Sequence, residues 1–375
     1  MRSAVRRIAT TAVVLTMAST LMSCKAFSTP DLQFDSNTLA AAQPHERNGL
    51  RARFFGTTTI LVSDDNRAIM VDGFFSRPSV ARVLFGNIQP DENRINAALV
   101  AGRVGELDAL LVTHSHHDHA MDSPVVARKT GALLVGSQST AHIALGADFP
   151  KERLCVIDPK PMVPRESPRM PVPKTGREDA PVCPEPGYGR FRVGQFWVDI
   201  FQSSHAEPTL SFLEVKGRIT EDLHTPAGLR DYKSEGTYTF LLHHPVGNVL
   251  IVPSASEDLD LGNAKASVVF LGIGYLNEQG AAFTRQFWHK VVTKTGASLV
   301  IPVHWDWLTK PVRGNEPLIP LPYIIDDVGA TMKVLRECAE EHGVELGFMP
   351  MYEPVLVVPR KPPKPKLPKT ACAAS

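Results

Sequence analysis

Thr113-His114-Ser115-His116-His117-Asp118-His119 sets four imidazoles and one carboxylate almost side by side, directly after the apolar run 107–112. Neutral imidazole and carboxylate are the donors that borderline divalent ions such as Zn²⁺ take. The apolar run reads as a buried strand. In an extended chain residues two apart point the same way, so His114 and His116 can meet one ion from one side. Asp118 and His119 follow where the chain must leave the strand, and can turn toward a second ion. A solvated polar loop is the alternative, and the density of donors argues against it.

The pattern His-x-His-x-Asp-His resembles the signature of the metallo-β-lactamase superfamily. His114, His116, Asp118 and His119 stand at its four defined positions and His117 at a variable one. Further landmarks follow in order. Asp72-Gly73 closes a strand-like run at 67–71, His205 follows the run 196–202, and His304 follows the run 298–303. The resemblance spans about residues 50–358. It implies an α/β (α+β) fold, a four-layer αββα sandwich, in one domain at 49–358. It also implies that His114, His116 and His205 hold a first ion and that Asp118, His119 and His304 hold a second. Zinc is expected, as one or two ions, with manganese and iron as alternatives. Asp118 is the expected catalytic residue, free to orient or deprotonate water if only the first ion binds. Asp72 would steady a ligand by hydrogen bond, and Asp306 would play a similar supporting part.

One position departs from the pattern. Many members carry Gly-Asp-Thr after a late strand, with the Asp bridging two ions. Here the chain reads Pro253-Ser254-Ala255-Ser256, which puts Ala255 at the bridging position. Glu257 and Asp258 lie near enough in sequence to substitute. A single ion, or two unequal ones, follows as an expectation. The ending Pro302-Val303-His304-Trp305-Asp306 resembles lactonase-like and N-acyl-phosphatidylethanolamine phospholipase D-like members.

At 375 residues, with 43% hydrophobic and 21% charged, the chain has ample material for one large core. A net charge of +1 gives no general attraction to nucleic acid, and no nucleic-acid partner is expected. Arg2, Arg6 and Arg7 precede an uncharged run at 8–22. That run is too short to span a bilayer comfortably and suits an export signal. Leu21-Met22-Ser23-Cys24 resembles a bacterial lipobox, with a plain cleaved signal as the alternative. Residues 1–23 then read as signal peptide, Cys24 as the lipidation site and 24–48 as a tether, which places the protein in the cell envelope on a membrane anchor. Cys155 and Cys183 flank a proline-rich insertion at 159–186. Two readings stand for them: a disulfide closing that loop in an oxidising compartment, or two free or buried thiols. The tail 359–375 alternates proline with basic residues and reads as a solvated extension, with contact to an anionic surface as the alternative.

Strand patterns fall at 50–55, 58–62, 67–72, 107–112, 132–136, 237–242, 248–252, 268–272, 298–303, 344–348 and 355–358. Helix patterns fall at 79–85, 91–101, 283–294 and 326–342, with Asp91 as an N-cap and Gly343 as a stop. Ser123-Pro124 reads as a cap followed by proline in a first turn. A polar insertion at 214–235 holds His224 and Tyr232 near the expected site mouth. The functional expectation is a metal-dependent hydrolase of a lactone, amide or phosphodiester bond, acting on a small molecule or lipid. A non-catalytic metal- or ligand-binding lipoprotein is the second reading, motivated by Ala255.

Overall fold

The computed structural model describes residues 26–34, 38–42, 49–157, 183, 189–206, 215–312 and 316–357. The expected signal peptide, Cys24, nearly all of the proline-rich insertion and the basic tail lie outside the described residues. Among the described residues no helix is long and apolar enough to cross a membrane.

Chain order runs β1 (Arg51–Phe54), β2 (Ile60–Ser63), β3 (Ala68–Val71), β4 (Ala109–Leu111), β5 (Leu133–Gly136), β6 (Leu154–Val156), β7 (Arg190–Val193), β8 (Phe196–Ser203) and β9 (Thr237–His243). It continues through β10 (Val249–Val252), β11 (Val268–Gly272), β12 (Leu299–Val303), β13 (Glu345–Leu346) and β14 (Val355–Leu356). These form two seven-stranded sheets, ordered β14-β1-β2-β3-β4-β5-β6 and β13-β12-β11-β10-β9-β8-β7. Each sheet is built the same way. Strands pair antiparallel at one side (β14 to β3; β7 to β10) and parallel at the other (β3 to β6; β10 to β13).

Strand alternation makes the layers. Ile60, Val62, Ile69, Val71, Ala109, Leu111 and Val135 face the core that also holds Val198, Ile200, Phe240 and Leu242 of the second sheet. Their neighbours Leu61, Met70, Leu110 and Leu134 join the other core, with Ile95 and Leu99 of one helix and Val125 and Val126 of another. A period of two therefore buries both faces of the first sheet, one on the second sheet and one on helices. On the far side Met332, Leu335 and Ala339 of the helix Val328–His342 pack among Phe287, Trp288 and Val291. The four layers expected from the resemblance are thus present.

Local signals hold at several ends. The Asp91 carboxylate accepts from Asn93 N and Arg94 N, and Gly343 ends the last helix with φ 64°. Others shift. The last helix, expected from 326, starts at Val328, and Asp327 caps it by accepting from Ala330 N. Asp122 precedes the helix Ser123–Thr130, and the Ser123 hydroxyl is spent on the site. The single helix expected at 283–294 is Ala281–Trp288 followed by a π-helical turn, His289–Thr293. The strand expected at 344–348 narrows to β13, and the helix Gln138–Gly146 was not legible.

The tether expected at 24–48 needs correction. Residues 26–34 and 38–42 dock on the domain. Leu32 and Leu39 are buried, Phe34 packs on Trp305 and Phe348, and Arg336 donates to the Leu32 carbonyl at 2.6 Å. The apolar side chains scattered through this polar stretch are enough to seat it. Cys155 and Cys183 are joined as a disulfide, Cα–Cα 5.2 Å, which resolves the two readings for that pair.

Candidate metal centre

The site lies where the parallel strands of both sheets end, the usual place for ligands in such sheets. Asp72 follows β3, the histidine turn follows β4, His205 follows β8 and His304 follows β12. His114, His116 and His205 bring three ring nitrogens within 4.8 Å of one another, and Asp118, His119 and His304 do the same with two nitrogens and a carboxylate oxygen. The groups are adjacent: the His114 and His119 ring centroids are 3.8 Å apart.

The spacing fits a small ion. A tetrahedral centre with bonds of 2.0–2.1 Å puts its donors roughly 3.3 Å apart. In the second group His119 Nε2 is 3.2 Å from His304 Nε2, and Asp118 Oδ2 is 3.3 Å from His119 Nε2 and 3.4 Å from His304 Nε2. In the first, His114 Nε2 is 3.1 Å from His116 Nδ1. These donor sets fit a divalent ion in chemistry and spacing.

The opposite ring nitrogens are mostly held, which selects the inward one. His119 Nδ1 donates to Asp72 Oδ2 at 2.7 Å, His116 Nε2 to the Val215 carbonyl at 3.2 Å and His205 Nδ1 to the Ala206 carbonyl at 2.6 Å. Asp72 is itself fixed: Thr113 N donates to its Oδ1 at 2.8 Å and the Thr58 hydroxyl donates to Oδ2. Ser123 donates to the Asp72 and His119 carbonyls at 2.6 and 2.7 Å. His304 Nδ1 is the exception, buried without a partner among the described residues.

Burial, then the neighbouring imidazoles, hold His114 well below its ordinary range. Burial chiefly pushes His116 down to about 4 and His205 to about 3, so all three offer lone pairs at neutral pH. Around His119 burial opposes the cation, but the charges of Asp118 and Asp72 outweigh it and raise the ring to about 10. Asp118 lies well below the usual carboxylate range, because His119 and His304 outweigh its burial.

Backbone strain concentrates here. Thr57 (φ 52°), Asp72 (φ 61°), Tyr275 (φ 61°) and His304 (φ 59°) all occupy the left-handed region. Each such residue costs on the order of 1–3 kcal/mol and persists only where its surroundings dictate it. Asp306 shows how. It does not touch a ligand side chain, contrary to expectation. Its Oδ1 accepts from Thr57 N at 2.7 Å, its Oδ2 pairs with Arg77 at 2.5 Å, and the Thr57 carbonyl accepts from His304 N at 2.7 Å. Asp306 therefore ties the His304 turn to the β1–β2 turn through backbone. Gly56 (φ 94°) is required beside it, since a Cβ there would lie 1.9 Å from the Arg77 guanidinium.

Among the described residues no carboxylate is seen to bridge the groups. Ala255 is buried, and Asp258 accepts from Ser204 N and Oγ, both at 2.9 Å, and from Ser256 Oγ. Asp258 thus braces the turn before His205 rather than replacing a bridge, and Glu257 is exposed. His224 bonds the Gly146 carbonyl at 3.0 Å, away from the ligands. The insertion around it does close over the site: Val215 holds His116, and the Lys233 carbonyl accepts from Ser115 at 2.5 Å.

A cavity of about 160 Å³ opens beside Asp118, His116, His205 and His304. Tyr232 and Tyr275 also line it, and burial raises both phenols above their ordinary value. Sequence reading missed Thr58, Arg77 and Tyr275, which carry no motif, and took Ser123 for a helix cap.

Residues 52–206 match the sequence model of the Metallo-beta-lactamase superfamily. A curated relative, a UPF0173 metal-dependent hydrolase of Anaeromyxobacter dehalogenans, is 33% identical over 54 residues, 14% of this chain and 20% of that protein. Among solved structures, Igni18, a metallo hydrolase of Ignicoccus hospitalis, is 15% identical with a TM-score of 0.42, over 82% of this chain and 98% of its own. CmlA, a diiron β-hydroxylase of Streptomyces venezuelae, is 13% identical with a TM-score of 0.42, over 82% of this chain and 53% of its own. The match takes in β1 to β8 and the histidine turn, and with the two seven-stranded sheets and their flanking helices the chain has the metallo-β-lactamase fold.

Proposed function

We propose that the protein is a metal-dependent hydrolase that directs a water at a lactone, amide or phosphodiester bond. The observation that carries this is the Asp118–His119–His304 group, whose three donor separations all fall between 3.2 and 3.4 Å beside an open cavity. Asp118, His119 and His304 would hold a divalent ion there, which would lower the pKa of water toward neutrality and polarise the bond under attack. His114, His116 and His205 present a second, all-imidazole set of donors. Asp118 orients the water or takes its proton when it is not engaged as a ligand. Asp72 keeps His119 in the tautomer that points Nε2 inward, and Thr58 and Thr113 keep Asp72 in place.

The same reading places the protein in the bacterial cell envelope, exported by residues 1–23 and anchored through a lipid on Cys24. Cys24→Ser should release it from membranes, and unchanged fractionation would sink that placement. Metal per chain, by elemental mass spectrometry on protein purified without chelator, tests the centre: one or two equivalents are expected, and none after reconstitution overturns it. Binding without turnover is the second reading, favoured by buried Ala255. Metal present with no hydrolysis of ester, amide and phosphodiester panels would select it.

A further inference from the structure

Resting on that hydrolase reading, we propose that the substrate is an uncharged ester, lactone or amide whose apolar acyl portion fills the cavity, and not a phosphodiester or a carboxylate-bearing ring. The cavity wall facing the donor groups is built from Val83, Leu84, Leu229, Leu308, Leu321 and Ile325. Among the described residues the lining carries no lysine or arginine, and its one formal charge is the Asp118 carboxylate. Lys310 stacks over the Trp307 ring at 4.4 Å but is not part of the lining. A phosphate or free carboxylate lodged against that wall, away from the donor groups, would lose its water with no lysine or arginine among the described lining residues to receive it. An acyl chain loses nothing polar and removes apolar surface from water.

The apolar character also continues outward. Val80 and Leu84 line the cavity yet remain 42% and 37% exposed, and Phe85 next to them is 88% exposed. Ile324, beside the lining residue Ile325, is 43% exposed. A chain longer than the cavity thus has an apolar rim to follow. Specificity for an uncharged bond then comes from what the wall lacks as much as from what it offers.

The test uses octanamide and octyl phosphate, equal in chain and different in charge, on the full chain after chelator treatment, so that no ion supplies affinity. Binding is read by calorimetry. Octanamide should bind at least about tenfold more tightly than octyl phosphate. Leu84→Lys should improve octyl phosphate about tenfold, and Val80→Lys repeats the test at a second exposed position. Octyl phosphate binding as well as octanamide, or no gain with either lysine, overturns the proposal. Turnover of phenyl octanoate by the metal-loaded protein is measured separately: binding preference without turnover would leave the cavity assignment standing and remove the hydrolase reading.

Discussion

The two donor groups lie side by side, yet they are held by different chemistry. His114, His116 and His205 are all imidazole, and two of them end on backbone carbonyls, Val215 and Ala206, in segments outside the β ladders. Asp118, His119 and His304 include a carboxylate, lean on a second one at Asp72 and are buried throughout. A carboxylate about 4 Å from a cation is worth on the order of 4 kcal/mol per unit charge at an effective dielectric near 20. The acidic group therefore pulls harder on a divalent ion, and the imidazole group offers the softer, more adjustable cage. With Ala255 at the position expected to bridge and Asp258 turned toward Ser204, nothing anionic among the described residues is seen to couple the two. Equal numbers of donors do not make equal sites.

The largest effect expected is from His116→Ala, which should abolish first-group metal and reduce hydrolysis by at least about 1,000-fold if both groups are needed. Near-parental turnover would show that the acidic group works alone. Next is Asp306→Ala. It strands the buried Arg77 guanidinium and unties the His304 turn, and should cost about 3–5 kcal/mol in a urea melt. A loss below about 1 kcal/mol would mean the turn is held by other contacts. Asp72→Asn keeps the left-handed backbone, which asparagine tolerates, and removes only charge. It should weaken metal at the acidic group by about 10–100-fold, seen by titration, and leave the imidazole group unchanged. The smallest effect is Ala255→Asp, which should bring the occupancy of the all-imidazole group toward that of the acidic group; unchanged stoichiometry would detach the inequality from the missing bridge.

How much was legible follows from how local each signal is. The turn 113–119 could be read because its donors are contiguous and its chemistry needs no partner. His205 and His304 were visible only as isolated histidines after apolar runs, meaningful once a pattern supplied the spacing. Thr58, Thr113 and Ser123 were invisible as site residues, because a hydroxyl that bonds a carboxylate from another strand leaves no trace in its own neighbourhood. Asp306 was expected to support the site much as Asp72 does; the fold hands its carboxylate to Thr57 and Arg77, and so to the backbone of the His304 turn rather than to a ligand ring. The described part of the expected tether, 26–34 and 38–42, departs from expectation for a similar reason. The composition of the stretch is that of a linker, and composition does not count the few apolar side chains, Leu32, Phe34 and Leu39, that pack on the domain.

By itself the sequence determined the alternation that makes buried strands, the donor types, and the order in which they leave successive strands, since these depend on neighbours one to four residues apart. Only the tertiary structure decided which atoms meet. It closed two sheets so that their strand ends converge, set the three acidic-group donors 3.2–3.4 Å apart, turned Asp258 away from the centre and walled the cavity with apolar groups. Those outcomes depend on packing between residues far apart in the chain, 249 positions in the Thr57–Asp306 bond, and no local pattern encodes a distance of that kind.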